Sequence, residues 1–313
     1  MTVENLISKS LDEAFLASNP RLLSKFKKIK VPSGCALFEV KGNTLVNLDN
    51  NPSINKRRLA SLKNFYEFMV KDLNLNCKFL LNTTDLDCDS DFSIFQFSKK
   101  ESGSHHITTL DPHIILSWLN YKPFDTKPFE KKINKVVFRG TDTGSYPLAD
   151  KNERIHICNT LVDENWADFK ISKYLSYCEE SLNHFGINKK NIDGDFLDIK
   201  HQSEYKYIAD IYGNSVAWDR NLWAMGLNSI LLKIHAFKKD KFHLWYSKFL
   251  DDENIVPNVS LSNLEAFLKE MSDSEALEIL NKQLEFSKLL NNKSVHLNYV
   301  QNLLVRYNKL YNE

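Results

Sequence analysis

Residues 135–140 read KVVFRG, 205–213 read YKYIADIYG and 228–234 read NSILLKI. Each is a short apolar run bounded by polar residues or glycine, the pattern of a strand buried on both faces. Between the second and third lies WDRNLWAMG (218–226), a short helix. After the first, a helix of about 25 residues is expected, ending with Gly186 just past its cap. Strand, helix and strand in succession predict parallel, doubly wound α/β structure.

Upstream, residues 2–17 and Lys56 to Leu73 carry apolar residues at helical spacing, and CKFLLN (77–82) and SIFQFS (93–98) read as strands. Asp111-Pro112 marks a helix start running to about Asn120. The polar stretch NYKPFDTKPFEKKIN (120–134) separates this part from the next. The expected organisation is therefore an amino-terminal domain over 1–130, a second domain over 131–290 and a C-terminal helix, 291–313, that packs back on the first. Ser262-x-x-Glu265 and Ser272-x-x-Glu275 are expected capping boxes, and two long helices should break near Asn291-Asn292.

The chain has 313 residues, 42% of them hydrophobic and 26% charged, as in a globular protein with a sizeable core. Lys+Arg total 41 against Asp+Glu 40, so no broad attraction to nucleic acid is expected. None of the nine glycines forms G-x-G-x-x-G or G-x-x-x-x-G-K, which excludes the dinucleotide fingerprint and the P-loop. Gly140 and Gly144 have the spacing of a nucleophile elbow, but Asp142 stands in place of the serine. Five scattered cysteines without C-x-x-C argue for reduced thiols. The amino terminus has no signal-peptide core, and no stretch approaches the roughly 20 apolar residues of a membrane helix, so a cytoplasmic protein is expected.

The acidic run Asp85-Leu-Asp87-Cys-Asp89-Ser-Asp91 follows a strand. It reads as a metal site, a D-x-D motif, a solvated turn or a single catalytic carboxylate beyond a strand end. It fails as an EF-hand, because position six is Ser90 and position twelve Gln96. The pair His105-His106 lacks metal-ligand spacing, and His113 is the reserve candidate for a base. Arginine is rare here and lysine the default, so each arginine is a candidate for the planar fork that grips phosphate. Arg139 ends a strand before the loop Gly140-Thr141-Asp142-Thr143-Gly144. Arg220 opens a helix whose N-terminal amides are expected to address the same anion. The alternative for both is a structural ion pair.

The segments Lys135–Thr141, Glu153-Arg154, Glu204–Asn214, Trp218–Gly226 and Ser229–Lys233 resemble glycosyltransferase family 90. That family includes lipopolysaccharide-modifying and capsule-associated enzymes and the protein O-glucosyltransferases. The likeness extends through Asn254-Ile-Val-Pro257 and covers roughly residues 130–310. It implies a GT-B-like α/β fold, two Rossmann-type domains facing a cleft. It also implies inverting, metal-independent transfer of a hexose, glucose or galactose, from a UDP-sugar. Leu81-Asn82-Thr-Thr-Asp85 matches the family's catalytic aspartate pattern and selects Asp85 from the acidic run. The positions implied for nucleotide-sugar binding are Arg139, Gly140, Thr141, Arg154, Gly213, Asn214, Ser215 and Arg220. No cofactor beyond the co-substrate is expected. The implied acceptor is a lipopolysaccharide core or capsular glycan at the inner face of a bacterial membrane, with peripheral membrane contact and no nucleic acid. Two other readings stand beside this: a non-catalytic nucleotide-sugar- or glycan-binding protein on the same fold, or a xylosyl- or O-glucosyltransferase acting on protein.

Overall fold

The computed structural model describes all residues except 1, 27, 55, 85–87, 89, 101–105, 111–124, 126, 145–147, 215–218 and 238–241. The chain divides into two compact units. The first comprises residues 1–120, 240–252 and 292–313, and the second residues 121–239 and 253–291. Each is an α/β assembly built on a five-stranded sheet.

In the first unit, β1 (Cys35–Gly42), β2 (Thr44–Asn50), β3 (Leu75–Asn82), β4 (Ile94–Gln96) and β6 (Ile107–Thr108) form the sheet. β5 (Lys99–Lys100) lies outside it. The order is β2-β1-β3-β4-β6, antiparallel at β2-β1-β3 and parallel at β3-β4-β6. Lys41 pairs with Thr44 across the two-residue turn Gly42-Asn43, where Gly42 has φ +63°. Side chains alternate across a strand, so one aromatic per strand reaches the same face. Phe38, Phe79 and Phe95 stack across β1, β3 and β4 at 5.6 and 5.1 Å. Tyr307 of the helix Lys293–Asn312 covers Phe95 edge-on at 4.9 Å. Its hydroxyl donates to Lys78 O, and Tyr299 of the same helix donates to Thr108 O, both at 2.8 Å.

The second unit contains β7 (Ile133–Thr141), β8 (Ala167–Lys173), β9 (Tyr205–Asp210) and β10 (Ile230–His235). β11 (Phe242–His243) belongs to the first unit, where it pairs with β5. β12 (Asn258–Ser260) completes the second sheet, ordered β12-β10-β9-β7-β8 with every pair parallel. Counted in chain order, this is 2-1-3-4-5, a doubly wound sheet whose connections reverse direction between its first and third strands, β7 and β9.

Two expectations fail in this unit. The single helix up to Gly186 is instead a helix Glu153–Thr160, the strand β8 and a helix Glu179–His184. Within β8, Phe169 and Ile171 are buried two residues apart, a strand period that the helical reading absorbed. Gly186, at φ +69°, does follow the last of these helices. Ser262 and Glu265 form no capping box, because a 3₁₀ turn Leu261–Asn263 precedes the helix and Asn263 makes no side-chain cap. Ser272 and Glu275 do form one. Among the described residues no helix is long and apolar enough to cross a membrane.

Candidate functional site

β7 and β9 run in register through Val137 and Ile208, and there the paired ladder between them stops. Beyond that point their carboxyl ends separate and main-chain carbonyls lose their strand partners. Two arginines supply the missing donors. Arg220 donates through Nη2 to Arg139 O at 2.5 Å and through Nη1 to Ala209 O at 3.2 Å. One turn of chain further out, Arg154 donates through Nη1 to Thr141 O at 3.1 Å and through Nε and Nη2 to Ile211 O at 3.1 and 3.0 Å. Each guanidinium is thus a rung across the switch point, joining the end of β7 to the end of β9. Buried carbonyls need such partners, and the planar fork reaches two of them at once.

Sequence detail around the rungs follows from packing. Both guanidinia lie over the Phe138 ring, at 5.1 Å for Arg220 and 5.8 Å for Arg154. Residue 140 must be glycine here, since a Cβ would sit 2.6 Å from Phe138 Cζ. A Cβ at Gly213 would stand 3.0 Å from Arg154 Cζ and from Thr143 Oγ1. Thr141 and Thr143 share a hydroxyl contact at 2.9 Å, and Arg154 Nη1 donates to Thr143 Oγ1 at 3.0 Å. The loop that carries them is anchored by Asp142, fully buried, whose carboxylate accepts from the amides of Leu175, Ser176 and Tyr177. Asp142 is therefore structural, and the elbow spacing of its flanking glycines has no nucleophile in it.

Electrostatically the site gathers Arg154, Arg220 and Lys233 around Asp210, with Asp142 and Asp219 also acting on the two arginines. Arg154 is 8% exposed, and burial together with the Arg220 charge pushes its pKa down to about 10. Asp210, at the end of β9 and 2% exposed, has a carboxyl raised by burial, with Arg220, Lys233 and Arg154 opposing the shift. Asn221 donates to Asp210 Oδ2 at 3.2 Å. Among the described residues, the buried Asp210 Oδ1 and Asn221 Oδ1 find no hydrogen-bond donor. Arg220 is half-buried, and its Nε makes no hydrogen bond to a described residue. Two buried acceptor oxygens beside a guanidinium that keeps Nε to donate suit a ligand that brings both hydroxyl donors and an anionic acceptor.

Arg139 departs from expectation. Neighbouring residues point to opposite faces of a strand, and its guanidinium goes to Asp168 rather than to the Phe138 side. Nη2 pairs with Asp168 Oδ1 at 2.8 Å, Nη1 donates to Asp168 O and Phe138 O, and Nε to Asp195 O. Tyr205 donates to Asp168 Oδ2 at 2.6 Å, so this group ties β7, β8 and β9 together. The structural ion pair describes Arg139; only its carbonyl joins the site. The helix opened by Arg220 spans five residues, Arg220–Ala224, too short to offer a helix terminus, so side chains dominate.

Of the remaining expected positions, Asn214 follows Gly213 and is half-buried. Ser215, Asp85, Asp87, Asp89, His105 and His113 lie outside the described residues. His106 is buried. Among the described residues no three His, Cys, Asp or Glu side chains gather as a metal site. Phe138, Thr143, Asp210, Asn221 and Lys233 were not singled out from sequence, although a charged residue closing or interrupting an apolar run, as Asp210 and Lys233 do, is a usable signal. A cavity of about 720 Å³ lined by Asn134, Lys135, Trp166, Tyr207, Glu265 and Lys269 opens at the amino-terminal ends of this sheet, opposite to where doubly wound sheets take ligands. No family model matches the chain, and no curated protein is significantly similar to it.

Proposed function

We propose that this chain is an inverting, metal-independent glycosyltransferase of GT-B-like architecture, akin to family 90, that takes a UDP-sugar at the β7/β9 switch point. The observation that carries the reading is the pair of guanidinium rungs with the orphaned Asp210 and Asn221 oxygens beside them. A nucleoside diphosphate sugar supplies what that site lacks: a phosphate oxygen for Arg220 Nε, and ribose or hexose hydroxyls for the orphaned acceptors.

In this reading the site's work is electrostatic. As the glycosidic bond to the diphosphate breaks, negative charge grows on the departing phosphate. Arg220, pinned through Nη1 and Nη2, keeps Nε for that charge without reorganising. Removing one such preorganised donor typically costs about 3–4 kcal/mol of transition-state stabilisation. Asp85, in the sequence after β3, takes the acceptor hydroxyl's proton as its oxygen attacks the anomeric carbon. A hexose donor and a bacterial glycan or glycolipid acceptor belong to the same proposal. Its test is a screen for UDP release with UDP-glucose, UDP-galactose, UDP-xylose and UDP-N-acetylhexosamines, with and without a lipooligosaccharide acceptor. Turnover of one donor supports the reading, and no turnover or binding of any of them refutes it.

A further inference from the structure

Cys35 and Cys88 are 53 positions apart in sequence, yet their sulfurs lie 3.6 Å from each other. The backbone on each side is held. Cys35 opens β1, pairs with Asn82 of β3 and donates its amide to Pro32 O at 3.1 Å. Next to it, Thr83 bonds Gly34 O through both its amide, at 2.9 Å, and its hydroxyl, at 2.7 Å. Cys88 has its carbonyl bound by His106 Nε2 at 2.6 Å, while Nδ1 of that ring accepts from the Ile94 amide at 3.3 Å. The two thiols also differ in access, Cys35 being fully buried and Cys88 partly exposed.

We propose that Cys35 and Cys88 form a reversible thiol–disulfide site that responds to hydroperoxides, closing across the start of β1 and the segment after β3. A disulfide needs the sulfurs to close by about 1.5 Å to a bond near 2.05 Å. Access sets the order of steps. The Cys88 sulfur attacks one peroxide oxygen, the O–O bond breaks, and Cys88 becomes a sulfenic acid while one water leaves. The Cys35 sulfur then attacks Cys88 Sγ. The S–S bond forms, the S–O bond breaks, and hydroxide departs with the Cys35 proton as a second water. Two thiols lose two electrons in total and one hydroperoxide gains them. The contact with Cys88, followed by burial, raises the Cys35 thiol above its ordinary range, which keeps it from acting as the first nucleophile. Asp85 lies three residues before Cys88 in sequence, so the bond tethers the segment that carries it.

The test uses the whole chain and no enzymatic activity, so its outcome is independent of the glycosyltransferase reading. The protein is treated with hydrogen peroxide, alkylated under denaturing conditions and digested without reductant. A peptide pair joined through Cys35 and Cys88, lighter by two hydrogens and separated by dithiothreitol, is expected. Cys88→Ser should remove it and leave Cys35 alkylatable, whereas Cys178→Ser should leave it in place. Accumulation of Cys88 sulfinic or sulfonic acid with Cys35 still alkylatable would overturn the proposal, as would linkage of Cys88 to Cys178.

Discussion

Replacing Asp142 by asparagine separates its structural role from a catalytic one. The carboxylate is fully buried and receives three successive amides: Leu175 at 2.6 Å on Oδ1, Ser176 at 3.2 and 3.0 Å on the two oxygens, and Tyr177 at 2.8 Å on Oδ2. Asparagine keeps the shape and one acceptor oxygen. Placed to serve Leu175 and Ser176, its NH₂ group then faces the Tyr177 amide, donor against donor. A buried amide left without an acceptor costs about 1–3 kcal/mol, and each surviving bond falls from charge-assisted to neutral, roughly 1 kcal/mol apiece. Relief of the carboxylate's burial offsets part of this, which leaves a net loss of about 3 kcal/mol. Equilibrium urea unfolding of Asp142→Asn against wild type measures it as a lower midpoint at unchanged slope. Because Thr141 and Thr143 flank Asp142 and contact Arg154, UDP affinity should fall as well. A stability loss under 1 kcal/mol would refute the anchoring role.

Asp85→Asn should cut transfer by about 10²–10⁴-fold while leaving UDP-sugar affinity and folding nearly unchanged, with Asp87→Asn and Asp89→Asn mild; side-by-side initial rates and donor titrations check this, and a dispensable Asp85 moves the base elsewhere. Transfer should survive EDTA, and activity abolished by EDTA and restored by manganese would return the acidic run to a metal role. Arg139→Lys should lower stability more than donor affinity, since ammonium cannot span Asp168 Oδ1, Asp168 O and Phe138 O together; urea midpoints compared with UDP titrations give the split, and a selective affinity loss would place Arg139 in the site after all.

The buried parallel strands were legible because KVVFRG, YKYIADIYG and NSILLKI are apolar runs of strand length, and all three contain strands. The pair β1 and β2 was missed although Gly42-Asn43 between alternating residues is a two-residue hairpin signal. β8 was lost for a different reason: Ala167–Lys173 mixes charge with apolar residues, and only Phe169 and Ile171 betray the period. Within the polar stretch 120–134, read as the separator between the two parts, Lys132 and Asp125 form a buried ion pair at 2.5 Å that composition alone does not reveal. At the site, rarity points to Arg220 as a candidate phosphate fork and the resemblance adds Arg154; both guanidinia bridge main-chain oxygens across the strand ends. Rarity also points to Arg139, because it does not say which face of a strand a residue takes. The carbonyl rungs themselves depend on where two strands separate, and that register is written in pairings more than 60 residues apart.

The central claim is that the β7/β9 switch point holds a nucleoside diphosphate through its guanidinium rungs. Isothermal titration of UDP into wild-type protein and into Arg220→Lys tests it most directly, with circular dichroism confirming that both are folded. The account expects saturable binding to wild type and at least tenfold weaker binding to the lysine variant, which keeps the charge and loses the fork. Absence of binding to wild type at millimolar UDP, or equal affinity in the two proteins, would contradict it.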